Sequence, residues 1–360
     1  MPAPETGATT WTWTIDANVF FGVNIQDRKF RDFTAWESQN WLMVSGARGV
    51  GGGIFSATTM LSLEPFTMQD LGSPQVFQTG ETFQNAPLVD YQHPHDLLME
   101  IGTDYRRAAG PVTVLAGLYV VGEPTFGPPV FMHRPSAANN PQVPLSHHHL
   151  DSTHITPGVI RGGVQAGAWR MEGSWFRGRE PDENRTDLDL GALDSVAGRV
   201  AWAHAGWSAQ ASAAHLTQPE RLSPYDANQL SASFGYTRGG DVRPYSWMAA
   251  FGQKREVHGK FEAFMIEGTI NVTRPDAFYV RGEIVDKDIL DAGFHPNFFH
   301  VHRQSRVGAL TLGYVRDFLR SRFGRVGAGA DVTGYRTPAN LDDSYGRPFS
   351  YHVFLRYSAH

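Results

Sequence analysis

The sequence contains no cysteine, which excludes disulfides, thiolate zinc sites and cysteine nucleophiles. It has no uninterrupted apolar run of eighteen residues, so it holds no transmembrane helix. Basic runs are missing too. With 31 Lys and Arg against 36 Asp and Glu the formal net charge is −5, and a nucleic-acid partner has no electrostatic support. Helical periodicity is nearly absent. The N-terminus, MPAPETGATTWTW, lacks both a charged n-region and an apolar h-region; an exported form would already have lost its signal peptide.

Aromatic residues, at 12 %, 38 glycines and 22 prolines in 360 residues fit many short strands joined by turns. Period-two alternation recurs from end to end. It predicts sixteen strands, near 10–24, 39–49, 52–64, 96–108, 111–122, 154–166, 168–179, 194–205, 207–218, 228–238, 245–255, 260–272, 276–287, 306–318, 322–335 and 349–358. Phe278, Val280 and Ile284 oppose Tyr279, Arg281 and Glu283; Tyr351, Val353, Leu355 and Tyr357 oppose His352, Phe354, Arg356 and Ser358. Between 96 and 106, Leu97, Met99, Ile101 and Tyr105 fall on one side, with Glu100, Asp104 and Arg106 on the other. A sandwich core would have to hide these charges, whereas a water-filled lumen need not.

The connections alternate in length. After even strands they are short: GVGG, AAGP, Ala-Gly, His-Ala-Gly, RGGDVRP, TRPD and Arg-Ser-Arg. After odd strands they are mostly longer: 25–38, 65–95, 123–153, 180–193, 219–227, 288–305 and 336–348, with a short one near 256–259. Short periplasmic turns and long outer loops are the habit of outer-membrane barrels. No 40–50-residue repeat supports a propeller. The expected fold is all-β: a single antiparallel transmembrane β-barrel domain over 1–360, of about sixteen strands, in a bacterial outer membrane. Residues 1–9 form a tail, and the loops 65–95 and 123–153 fold over the mouth. Lipid and lipopolysaccharide are the expected surroundings, and a homo-oligomer or an envelope complex the expected assembly.

Ten of the fifteen histidines lie in three segments, all beside odd connections and hence at one rim. His93 and His95 flank a rigid proline; His133 follows Met132; His147, His148, His149, Asp151 and His154 form the densest cluster; His295, His300 and His302 lie downstream. Imidazole and carboxylate are ligands for Cu and Zn, and Met132 with His133 would favour Cu(I). The competing reading is a polar lid of ordinary loop hydrogen bonds. Asp151 and Ser152 with His154 raise a hydrolase, but triads are rarely built within four positions and no GxSxG elbow exists. The inward charges of both signs suggest salt-bridge ladders across a lumen.

SLEP (62–65), QTGET (78–82), LVDYQHPHD (88–96), GEPTFGPPVFMHRPS (122–136), SHHHLDSTHIT (146–156), FRGREPDENR (176–185) and SYHVFLRY (350–357) together resemble a family of uncharacterised bacterial outer-membrane β-barrel proteins. The resemblance spans nearly the whole chain. Members of that family are often encoded near copper or other heavy-metal resistance functions. His93, His95, His133, His147, His148 and His154 match its pattern; at His149 relatives carry an aromatic residue. The resemblance implies a metal-linked barrel, with copper or zinc held by those six histidines and Asp151. The alternatives are a general diffusion porin with a histidine-rich constriction, a lipid hydrolase using Ser152 and His154, and a structural barrel in an envelope complex.

Overall fold

The computed structural model describes residues 9–84, 86–221, 224–240, 243–290 and 303–359. The strands are β1 (Thr12–Arg28), β2 (Arg31–Glu37), β3 (Asn40–Val50), β4 (Gly53–Leu61), β5 (Ser73–Phe83), β6 (Ala86–Gln92), β7 (Leu98–Ala109), β8 (Val112–Gly122), β9 (Thr156–Ala166), β10 (Trp169–Phe176), β11 (Ser195–His204), β12 (Trp207–Leu216), β13 (Ala227–Arg238), β14 (Tyr245–Glu256), β15 (Gly259–Asn271), β16 (Asp276–Lys287), β17 (Ser305–Ser321), β18 (Gly324–Arg336) and β19 (Phe349–Ala359). All but β5 and β6 join one antiparallel sheet, which closes where β1 meets β19 from Ala17↔Ala359 to Asp27↔Phe349. β2 and β3 pair with the upper and lower halves of β1, so they share one stave and the barrel has sixteen. Closure satisfies every edge, as strands in hydrocarbon require.

Alternation along the strands sorts side chains between lipid and bore. On β19, Val353 is 55 % exposed and Arg356 4 %; on β16, Val280 is exposed and Arg281 buried. The outward residues make an apolar belt that includes Ile15, Leu118, Met171, Ile266 and Leu312. Aromatic rings bound it: Trp13, Trp169, Trp207 and Phe323 toward the short turns, and Trp36, Trp175 and Phe349 toward the long loops. Such girdles mark the two membrane interfaces. No described helix is long and apolar enough to cross a membrane; the chain crosses with strands. The short turns, the start of β1 and the end of β19 lie at one end of the barrel, the periplasmic one by the usual orientation. At Gly51 and Gly52, φ of +56° and +78° give the hairpin turn that two strands with native twist prefer.

Three expectations change. The connection 25–38 is not a loop: β1 runs on to Arg28, turns at Lys29–Phe30, and returns as β2. The pairing register shifts at Met99 and again beside Ile101, so the two do not share a face. Met99 packs inside, 2 % exposed, while Ile101 faces lipid at 38 %. A bulge inserts one residue and reverses which parity points inward.

Most of the connection 123–155 and, from the connection 62–97, the buried stretch Ser73–Thr79 lie inside the bore rather than across its mouth, whereas Leu63 and Phe66 are exposed. The stretch Pro141–Asp151 is buried without interruption. Asn139 reaches Thr269, two residues from the lower end of β15, at 2.7 Å. The inward descent of these segments follows from the polar wall, which offers hydrogen-bond partners that lipid cannot.

A charge in the belt tests the placement of the lipid face. Val353→Arg should lower folding stability by about 2–4 kcal/mol in liposome refolding, whereas Ser358→Ala, on the bore side, should change it far less.

Candidate functional site

The inward segment between β8 and β9 is anchored by ion pairs with the wall of β15 and β16. Arg134 donates to Glu267 at 2.7 Å and to Asp151 at 2.5 Å. Arg281 meets the other oxygen of Glu267 at 3.0 Å and donates to the Gln142 carbonyl at 2.7 Å. Glu283 accepts from Ser146 Oγ at 2.7 Å and from the Ser146 and Leu145 amides. On the opposite side, Asn18 donates to the Ala138 carbonyl, Gly127 N–H donates to Ser212, and Arg356 bonds both Asn139 and Asp317. One loop therefore touches walls all round the bore.

The β5–β6 hairpin fills the rest of the upper bore. Asn24 donates to the Pro74 carbonyl at 2.8 Å, Ser73 Oγ to Glu37 at 2.8 Å, and Arg28 pairs with Asp90 at 2.8 Å. Gln75 links hairpin to inward segment through the Val143 carbonyl at 2.7 Å. With hairpin and segment braced together, the bore holds a built plug.

The histidines sit in this plug. Ser146 precedes a one-turn helix over His147–Leu150, and a 3-10 turn follows over Ser152–His154. His95, His147, His148 and His154 gather, with ring centres 5.3 Å apart for His95 and His154, 5.1 Å for His147 and His154, and 5.4 Å for His147 and His148. One nitrogen is engaged in each of three rings, while the Nε2 atoms of His95, His148 and His154 have no hydrogen-bond partner among the described residues. His147 Nδ1 bonds Asp151 at 2.7 Å, His95 Nδ1 bonds Glu64 at 2.7 Å, and His154 Nδ1 bonds the Asp151 carbonyl at 3.0 Å. His93 pairs with Glu81 at 2.8 Å. His133 stands apart, edge-on to Trp41 at 4.7 Å, and Met132 belongs to an apolar cluster with Trp41, Met60 and Met99. Among the described residues, no three of His93, His95, His133, His147, His148, His154 and Asp151 bring donor atoms within 4.8 Å of one another. Sequence neighbourhood brought the rings together, but carboxylates and a carbonyl hold one nitrogen each of His95, His147 and His154, and the expected donors do not converge in threes. Ser152 bonds neither His154 nor any other group in a triad-like way: His154 is turned to the Asp151 carbonyl. His295, His300 and His302 lie outside the described residues.

Burial sets the protonation of this group. His154 is held well below the ordinary imidazole value by burial and by His147 and His95. His148 is likewise held well below it, by burial and then by His147 and Lys287. His149 is pushed down to about 3 by burial beside Lys287 and Lys254. Asp151 stays below the ordinary carboxylate range: burial raises it, but Arg134 and His147 prevail.

Above the plug lies a vestibule of about 370 Å³, lined by residues of the hairpin, the inward segment, the loops after β10 and β12 and the upper ends of β14–β16. Eight carboxylates line it against five lysines and arginines. Glu180 there is raised well above the usual value by burial and by the neighbouring charges of Glu81 and Glu220. The expectation from sequence included Arg281 and Glu283 as inward charges. It missed Arg134 and Glu267, although Glu267 follows Ile266 in the alternation that points Ile266 to lipid, and it missed Glu64, Glu81 and Glu180.

A closed sixteen-stave barrel with a lipid belt, a polar bore and an inward loop defines a porin-type outer-membrane barrel. No family model matches the sequence, and no curated protein does. Solved structures do share the fold. An anion-selective porin from Comamonas acidovorans superposes with TM-score 0.54 at 12 % identity, covering 97 % of this chain and all of that one. The outer membrane channel DcaP of Acinetobacter baumannii gives 0.55 at 12 %, over 97 % of both chains. Salmonella typhi OmpF, in a complex with daunomycin, gives 0.55 at 9 %, over 99 % of this chain and 100 % of its own. At these identities the likeness is one of fold: each is an outer-membrane barrel of the same architecture.

The anchoring pairs generate two expectations. Glu267→Gln leaves Arg134 and Arg281 without their shared counter-charge; breaking such a buried pair costs about 3–5 kcal/mol. Hydrogen exchange should speed up across 123–155 while the barrel strands stay protected. Asp151 contributes its stability above the ordinary value of about 4 and loses it only as pH falls through the lower value it has in place. A spin label at Pro135→Cys, the sole cysteine, should be immobile from pH 7 to pH 4.5 and gain mobility below about 4.

Proposed function

We propose that the chain is a constricted diffusion channel for small hydrophilic solutes, and that its outer vestibule favours cations. The observation that carries this reading is the inward segment, braced from wall to wall inside a porin-type barrel, beneath a vestibule that opens outward. A bore whose cross-section is largely taken by the segment and the β5–β6 hairpin passes ions and small polar molecules and rejects bulky ones. Eight carboxylates against five cationic side chains at the entrance raise the local concentration of cations. The charges deeper in the bore are matched in pairs, as Arg134, Glu267 and Arg281 illustrate, and add little further preference. The copper- or zinc-linked reading of the histidine segments has no comparable support, because among the described residues no three of the expected ligands bring donor atoms within 4.8 Å of one another.

Planar-bilayer recording tests the channel. The intact protein should give small, ohmic steps, and removal of 128–150 across a short Gly-Ser bridge should enlarge them several-fold. In a KCl gradient the reversal potential should have the sign of cation preference. Silence from both forms would sink the proposal.

A further inference from the structure

Three groups from sequence-remote loops meet in the vestibule, and none of them serves the bracing of the plug to the barrel wall. Glu81 comes from the β5–β6 hairpin, His148 from the inward segment and Glu180 from the loop after β10. One donor atom from each lies within 4.8 Å of the other two, and all three line the same opening. A second observation points to a ligand. His148 is only 9 % exposed, and its Nε2 has no hydrogen-bond partner. Buried polar nitrogens in folded proteins are normally paired, and the His148 ring lines this opening beside the two carboxylates. The ring lies over Gly80, where a Cβ would come within 2.7–2.8 Å of its atoms; the backbone has made room for it.

We propose that Glu81, His148 and Glu180 form a binding site for one divalent transition ion of the zinc class, open to the extracellular side. The donor set decides the class. One imidazole with two carboxylates suits zinc and its neighbours, whereas calcium and magnesium prefer oxygen throughout. The fourth position faces the vestibule and is left to water, as in open zinc sites. Around a bound ion with bonds of about 2.0–2.2 Å the donors stand roughly 3.3–3.6 Å apart, so donors already within 4.8 Å of one another need at most a small closure of the three loops. The surroundings orient the ligands: His93 bonds one oxygen of Glu81 at 2.8 Å, and Arg185 stands 3.9 Å from the other. Lys254, which also lines the opening, is engaged by Glu220 and Glu256. This site shares only His148 with the set expected from sequence, and it does not depend on the bore conducting.

Zinc chloride titrated calorimetrically into the full-length, untagged protein in detergent should reveal one site per chain. Glu180→Gln and His148→Gln should each weaken it at least ten-fold, while His133→Gln leaves it unchanged. Zinc-edge X-ray absorption on the unaltered protein reads the same site without any substitution, and should show one imidazole among oxygen ligands. Absence of zinc binding, an affinity that either variant leaves intact, or a shell of two or more imidazoles would overturn the proposal.

Discussion

Glu267 sits in the wall of the bore with both oxygens taken by arginines, Arg134 from the inward segment and Arg281 from the neighbouring strand. Almost everything specific about this barrel depends on that arrangement. A buried carboxylate is costly unless its lone pairs are filled, and two buried guanidinium groups are costly unless a carboxylate lies between them. The cluster settles both demands only when the segment lies inside the barrel. Asp151 then meets Arg134, His147 meets Asp151, and the short helix that carries the histidines is fixed in its turn. The position of His148 at the floor of the vestibule descends from an ion pair well below it.

The barrel and the plug obey different rules, and this explains what could be read from the sequence. Strands between lipid and bore must alternate, so β16 and β19 announced both their faces and their extents. The sixteen staves emerged within a few residues of their ends because hydrocarbon admits no other pattern. The β5–β6 hairpin left no such trace. It has no lipid side; Ser73–Thr79 is buried on both faces, and its composition looks like loop. The extension of β1 and β2 above the membrane was hidden for a related reason, since Lys29, Arg31 and Asp32 interrupt the apolar parity there.

The histidine segments were legible as a gathering but not as chemistry. Parity and loop placement brought His95, His147, His148 and His154 to one region, and they are together. Which nitrogen remains available is decided by Glu64, Asp151 and backbone carbonyls that no spacing rule reveals. Of the partners that matter at the vestibule, Glu81 lies 67 residues before His148 and Glu180 lies 32 after it. Only the packed plug makes them neighbours. A run of three histidines drew the eye, while a solitary glutamate in each of two other loops completed the geometry.

The bond from Arg134 to Glu267 spans 133 positions in the chain. The inward segment is therefore synthesised before the wall that holds it, and until then Arg134 can meet Asp151 of its own segment but not Glu267. Contacts so remote carry a large loop-closure cost and form late. Once β1 and β19 have met, a segment with this many lateral bonds could enter only by way of the mouth, against the hairpin already there. Assembly in the membrane thus has an intrinsic order, in which the last staves wrap around a plug rather than a plug dropping into a finished cylinder.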